Sequence, residues 1–205
     1  INFTERKPEL TKIDLKSNTK KSLAWFIPDF GIGSGGHLNI FRFIYYLETI
    51  YKFNVDIILC GNSQWVTTNN LKNKINENFY KIQSDIFIYN NEKQLINHKK
   101  KYLAIFATSW QTAYFVNAFS QCYQKFYFIQ DFEPLFYPHG SEYYFALNTY
   151  NFNFKSITVG NWLNKLMFEK FGMNSINVSF SYDREIYHPI NVKKEKYIFF
   201  YSRPS

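Results

Sequence analysis

"FIPDFGIGSGGHLNIFRFI", residues 26–44, decides how this chain is read. A short apolar run ends in Pro28-Asp29, and four glycines (Gly31, Gly33, Gly35, Gly36) follow within six residues. Upstream, "SLAWFIPDF" has the continuous apolar character of a buried strand ending in turn chemistry. Downstream of His37, the residues Ile40, Phe41, Ile44, Leu47 and Ile50 or Tyr51 recur at helical spacing. The stretch therefore reads as strand, glycine turn and helix, with the helix beginning right after the glycines.

The same rhythm extends outward. "NVDIILCG" (54–61) is the next buried strand, while 62–101 is weakly patterned, with a helix expected near 71–80 and a strand at "DIFIY" (85–89). "LAIFATSW" (103–110) predicts a strand and 111–121 a helix. "KFYFIQD" (125–131) predicts a strand with a Pro-containing loop, and 142–151 a helix. "SITVG" (156–160) leads into a helix over 161–171 that stops at Gly172, the residue type that suits a helix C-terminus. "INVSFSY" and "KYIFFYS" read as two further strands. Alternating buried strands and amphipathic helices predict an α/β fold, a doubly wound parallel sheet of Rossmann-like kind covered on both faces. Ligands in such sheets sit at the carboxyl ends of the strands, here the loops after Phe30, Gly61, Ser109, Asp131 and Gly160.

The chain has 205 residues, 46% of them hydrophobic, enough for one large domain with a real core. Its formal charge of +8 suits phosphate-bearing ligands or peripheral contact with an anionic membrane. The charge is spread along the chain; "HKKK" (98–101) reads as a solvated loop, so nucleic acid is not expected as a partner. Cys60 and Cys122 have neither metal-like nor disulfide-framework spacing, which favours a reducing, cytoplasmic setting. No apolar run approaches the ~20 residues that span a bilayer, and no signal peptide is read. The polar, Lys-rich residues 1–21 read as a lead-in, and the strand pattern that stops at Ser205 suggests a fragment of a longer protein.

Gly31, Gly33 and Gly36 satisfy G-x-G-x-x-G, the pattern of a dinucleotide loop. That reading needs an acidic residue at the end of the second strand to bind a ribose. The strand ends "ILCGN", with Asp56 at its beginning, so NAD is disfavoured. Glycines still let the backbone approach a ligand, and the helix start offers free N–H groups and a positive dipole end for an anion or sugar hydroxyl. A bare turn requiring positive φ angles is the alternative; four glycines in six residues favour the ligand loop. Capping, packing and ligand contact are all open to His37.

"FIQDFEPLFYPHGSEYY" (128–144) gathers Gln130, Asp131 and Glu133 in one loop, with His139 and the aromatics Phe132, Phe136, Tyr137, Tyr143 and Tyr144 around them. Carboxylates and amides accept hydroxyl hydrogen bonds while aromatic faces pack on C–H surfaces, the mixture that holds sugars. Asp131 or Glu133 also suits a general base; Glu142 reads as part of a helix start. The four histidines lack metal-ligand spacing, and no serine elbow or Walker lysine pattern is present.

Later segments carry a resemblance. "ITVGNWLNKLMFEKFGM", "SYDREIYHP" (with Asp183, Tyr187 and Pro189) and "KYIFFYSRP" resemble, in order and spacing, the end of the first domain, the link and the first strand of the second domain in GT-B glycosyltransferases. "GGHLNIFRFIYYLE" and "FIQDFEPLFYP" resemble bacterial rhamnosyltransferases of surface-polysaccharide synthesis. The likeness covers roughly residues 23–204. It implies a Rossmann-like acceptor domain over 22–190 and, over 191–205, the start of a truncated donor-binding domain. It further implies a nucleotide-sugar donor, a glycan or lipid-linked acceptor, no tightly bound metal or other cofactor, and work at the inner face of the membrane. Carried over residue by residue, Gly33, Gly35, Gly36, Gln130 and Arg203 would contact substrates, and Asp131, Glu133 and His37 would serve catalysis. An inverting enzyme would use Asp131 as base, with Glu133 second. A retaining one would need no base, and His37 or the loop amides would steady sugar and phosphate. The link departs from the family in having Ser-Tyr where many members have Asn-Gly. A catalytically inactive glycan- or nucleotide-binding module is the alternative reading.

Overall fold

In a computed structural model, which describes residues 22–63, 67–179, 181, 182, 184, 187–193, 195–198 and 200, the glycine turn joins an interior strand of a parallel sheet to a long helix. The elements run β1 (Ser22–Pro28), α1 (Gly35–Thr49), β2 (Asn54–Cys60), α2 (Thr68–Asn78), β3 (Asp85–Tyr89), a 3-10 turn (Glu92–Asn97) and β4 (Tyr102–Ala107). They continue with α3 (Trp110–Ala118), β5 (Cys122–Ile129), a second 3-10 turn (Glu133–Phe136), α4 (Ser141–Thr149), β6 (Lys155–Val159), α5 (Asn161–Phe171) and β7 (Ser175–Val178). The seven strands lie in the order β3-β2-β1-β4-β5-β6-β7 and all pair in parallel. This is the α/β, doubly wound, Rossmann-like arrangement that the apolar runs predict. The order reverses between β1 and β4, which is where such sheets open a ligand crevice.

Alternation along β1 explains the two cores. Leu23, Trp25 and Ile27 point towards α1 and α2, where Ile40, Phe41, Ile44, Leu71 and Ile75 meet them. Ala24 and Phe26 point to the opposite face, which is covered by Ala113 and Val116 of α3 and Leu163 and Met167 of α5. Trp25 lies 4.7 Å from Phe106 in a stacked pair and meets Phe128 edge-on at 5.5 Å. Its indole N–H has no hydrogen-bond partner, so packing alone holds it. Truncating a ring buried in this way costs ~3–5 kcal/mol.

Boundaries moved where polar side chains compete with pattern. The apolar run 103–110 looks continuous, yet β4 stops at Ala107 because Ser109 and Thr112 form reciprocal side-chain caps that start α3 at Trp110. Helix α3 ends at Ala118, short of the expected 121, and α4 spans Ser141–Thr149 rather than 142–151. Helix α1 begins within the glycines, at Gly35, since Ser34 is its N-cap. Helix α2 starts earlier than the apolar residues suggest, because the Thr67 hydroxyl accepts from the Asn70 amide. At the other end of α5 the expected stop holds: Gly172 is left-handed (φ 63°) and its N–H bonds to the Phe168 carbonyl at 3.0 Å. The strand read in "KYIFFYS" lies partly outside the described residues, and residues 195–198 and 200 are not in strand. Residues 1–21 also lie outside. No helix among the described residues is long and apolar enough to cross a membrane. Cys60 and Cys122 are free, buried thiols, and burial pushes the Cys122 pKa up to about 11.

Candidate functional site

The glycine loop is built by short-range hydrogen bonds. After Pro28 the Asp29 carboxylate accepts the Phe30 amide at 3.0 Å, and Phe30 turns its ring into the core. The chain then turns outward: Ser34 N–H reaches the Gly31 carbonyl at 3.3 Å, and Gly33 takes φ +88°, a left-handed value that only glycine adopts without strain. Ser34 caps α1, while Gly35 and Gly36, the first two helical residues, stay exposed. Their amides point out of the helix end, the natural seat of an anion or an electronegative oxygen.

His37 occupies the inner side of this turn. Its ring stacks on Phe30 at 4.7 Å, and Nδ1 lies 2.9 Å from the Ser34 hydroxyl. Only 9% of the residue is exposed, and Nε2 is buried without a hydrogen-bond partner of normal geometry. Burial drives the imidazole pKa from 6.5 down to about 4, against the opposing pull of the Pro28 carbonyl and the Asp29 carboxylate. His37 is thus neutral at physiological pH. The hydrogen bond shared by Nδ1 and the Ser34 hydroxyl fixes the orientation of the ring.

Helix α1 also brings the two sequence constellations together. A Cβ placed on Gly36 would stand 3.4 Å from Gln130 Nε2, and Asn39 Nδ2 reaches Gln130 Oε1 at 3.5 Å. Gly33, Gly35, Gly36, His37, Gln130 and Asp131 therefore gather at one carboxyl edge of the sheet. Asp131 is exposed, with one carboxylate oxygen accepting the Phe132 amide at 2.8 Å.

Glu133 goes elsewhere. The turn at Phe132 sends its side chain inward, where Oε2 accepts the Trp110 amide at 2.8 Å and Oε1 accepts the Tyr127 hydroxyl at 3.2 Å. The Glu133 amide in turn donates to the Tyr150 hydroxyl at 3.3 Å. Burial raises its pKa from 4.5 to about 7, although the two hydrogen bonds favour the charged form; the neighbouring Asp131 adds to the rise. The carboxyl thus clasps the N-terminus of α3 to the β5 loop from beneath. Sequence reasoning grouped it with Asp131 by proximity and missed Trp110, which pattern alone assigns to a strand end.

Arg203 and Asp183 lie outside the described residues. Ser181, from the link that resembles the interdomain segment, accepts a hydrogen bond from Arg42 of α1 at 3.0 Å. His139, just before α4, stacks on Tyr143 of that helix at 4.3 Å. No group of three or more His, Cys, Asp and Glu among the described residues is placed to hold a metal ion.

A cavity of about 480 Å³ opens at the opposite, amino-terminal edge, lined among others by Glu48, Asp56, Asp85, Lys100 and Tyr102. These five side chains are engaged with one another and with their neighbours. Lys100 spans Asp56 (3.0 Å) and Asp85 (2.9 Å), Tyr102 donates to Asp56 at 2.7 Å, and Glu48 takes the Ser84 hydroxyl at 2.6 Å and the Gln83 amide at 2.8 Å. These contacts knit the starts of the strands together, far from the glycine loop.

Comparison with family models and with curated proteins finds no match to this chain.

Proposed function

We propose that the chain is the acceptor-binding half of a glycosyltransferase that moves a sugar from a nucleotide-sugar donor to a growing surface glycan. The observation that carries the reading is the close approach of Gly36 to Gln130, which joins an anion-accepting helix start to a carboxylate–amide loop at one sheet edge. The exposed amides of Gly35 and Gly36 suit the phosphates or hydroxyls of the donor. Gln130 orients a hydroxyl, and Asp131 takes the proton of the attacking acceptor oxygen as its bond to the anomeric carbon forms and the nucleotide leaves. His37, neutral and buried, braces the glycine turn from within through Phe30 and Ser34. Glu133 is a positioning residue beneath the loop. The donor sugar is rhamnose in the closest form of this reading, no resident cofactor is called for, and the work is done on the cytoplasmic side, where the charge of +8 draws the chain to anionic lipid.

A passive glycan- or nucleotide-binding module is the second reading. It is favoured by the inward turn of Glu133, which leaves Asp131 as the one acidic side chain of the pair at the surface. A single assay separates the two. The longest natural form of the protein is incubated with dTDP-rhamnose, UDP-glucose, UDP-galactose and GDP-mannose, with and without glycoside acceptors, and nucleotide release is followed. Acceptor-dependent release from one donor, lost in a folded Asp131→Asn variant, supports transfer; no release from any donor supports the passive module.

A further inference from the structure

Beside the β5 loop stands a surface of large apolar side chains, most of them aromatic, that the mechanism above does not use. Leu135, Phe136, Tyr144 and Phe145 are 67%, 61%, 57% and 39% exposed. Partly buried Trp110 lies among them as the first residue of α3. Large apolar side chains grouped at the ligand edge of a sheet mark an interaction site.

The rings around Trp110 are fixed in advance. Its amide is held by Glu133, its indole Nε1 donates to the Tyr137 hydroxyl at 3.0 Å, and Gln111 Nε2 reaches the same hydroxyl at 3.3 Å. Phe145 lies nearly parallel to the indole, 6.4 Å away at 23°, whereas Tyr137 meets it edge-on at 88°. The Tyr114 hydroxyl ties down the Phe145 carbonyl at 3.1 Å. Rings immobilised in this way lose little further entropy when a ligand stacks on them.

Charge decides between occupants. Residues 131–145 expose the carboxylates of Asp131 and Glu142 and contain neither Lys nor Arg. An anionic bilayer or a phosphate would meet like charge here and no partner. A neutral sugar fits: its C–H face packs on an aromatic plane while its hydroxyls find the Tyr137 hydroxyl and the Gln111 amide.

We propose that the ledge formed by Trp110, Tyr137 and Phe145 is a subsite for a neutral sugar unit of the acceptor, with Trp110 as its platform. The proposal rests on the glycosyltransferase reading for the word acceptor, but the binding itself is testable without transfer. Saturation-transfer NMR on the 205-residue chain would use methyl α-rhamnoside, methyl β-glucoside, maltose and cellobiose as probes, with phosphatidylglycerol vesicles in a separate co-sedimentation arm. Trp110→Ala is compared with Trp110→Phe, which keeps a ring in place, and with Tyr137→Phe, which removes only the hydroxyl. Thermal unfolding of each variant verifies the fold.

The expected result is saturation of at least one glycoside with affinity reduced on the order of tenfold in Trp110→Ala, less in Trp110→Phe, and measurably in Tyr137→Phe. Absence of binding by every probe, equal binding by folded Trp110→Ala, or Trp110-dependent capture by the vesicles in place of sugar binding would each overturn the proposal. Nucleotide release is scored separately. Glycoside binding without release from any donor removes the transferase reading and keeps the ledge; release without Trp110-dependent glycoside binding does the reverse.

Discussion

Replacing Glu133 by glutamine keeps the shape of the side chain and the acceptor for the Trp110 amide while removing the titratable group. In the folded chain the carboxyl titrates near pH 7 instead of 4.5 because it is buried. Between those values the folded state holds a proton that the unfolded chain has shed. A raised pKa contributes stability that is fully present below pH 4.5 and is lost as pH rises through about 7. At ~1.4 kcal/mol per pH unit, the loss across that window is about 3 kcal/mol. Denaturant unfolding followed by circular dichroism at several pH values between 4.5 and 7.5 reads this directly. The stability of Glu133→Gln relative to the parent is expected to climb by about 3 kcal/mol over that range. The comparison cancels every other titrating group that the substitution leaves undisturbed. Two parallel curves would refute the reasoning, since they would mean that Glu133 titrates alike in both states and is not buried beneath Trp110.

His37 should behave in the opposite sense: its folded pKa is depressed to about 4, so stability present above pH 6.5 is lost as pH falls. The parent should therefore lose about 3 kcal/mol more than His37→Phe between pH 6.5 and 4, measured in the same way. Gly33→Ala forces a side chain into φ +88° and is expected to cost ~1–2 kcal/mol by thermal unfolding, although its Cβ would meet nothing. Gly36→Ala, with ordinary helical backbone and its Cβ in contact with the flexible end of Gln130 at 3.4 Å, should leave stability unchanged or slightly raised. It should nonetheless weaken ligand binding about tenfold by isothermal titration, a split that a merely structural glycine would not show. Tyr102→Phe at the far edge leaves His98 Nε2 and an Asp56 oxygen without a 2.7 Å partner. It is expected to cost ~1–3 kcal/mol of stability and leave ligand affinity as it was.

The architecture was legible because it rests on signals that are local and strong. Buried parallel strands such as "AWFI" and "DIILC" are continuous apolar runs, and glycine, proline and helical periodicity mark what lies between them. Strand order was not legible: nothing in "LAIFATSW" states that β4 lies beside β1. The contact of Asn39 with Gln130 joins residues 91 apart in sequence, and only the crossing of α1 over the sheet creates it. The glycine loop and the Gln130–Asp131 loop could each be picked out as ligand-facing from their place after a strand. The roles within them depended on side-chain direction. Asp131 and Glu133 look equivalent in sequence, yet the turn at Phe132 leaves one exposed and buries the other under Trp110. The capping pair Ser109 and Thr112 is a readable signal for the start of α3, and would have placed Trp110 at a helix start on the ligand edge.

The central claim is that the loops at 31–37 and 130–133 form one ligand site. Amide chemical-shift mapping of the 15N-labelled chain, titrated with the nucleotide sugars named above and their nucleoside diphosphates, tests it most directly. Shifts are expected at Gly35, Gly36 and His37 together with Gln130 and Asp131, saturating with one affinity. Shifts confined to the Asp56–Lys100 edge, or absent from both loops at saturating ligand, would contradict it.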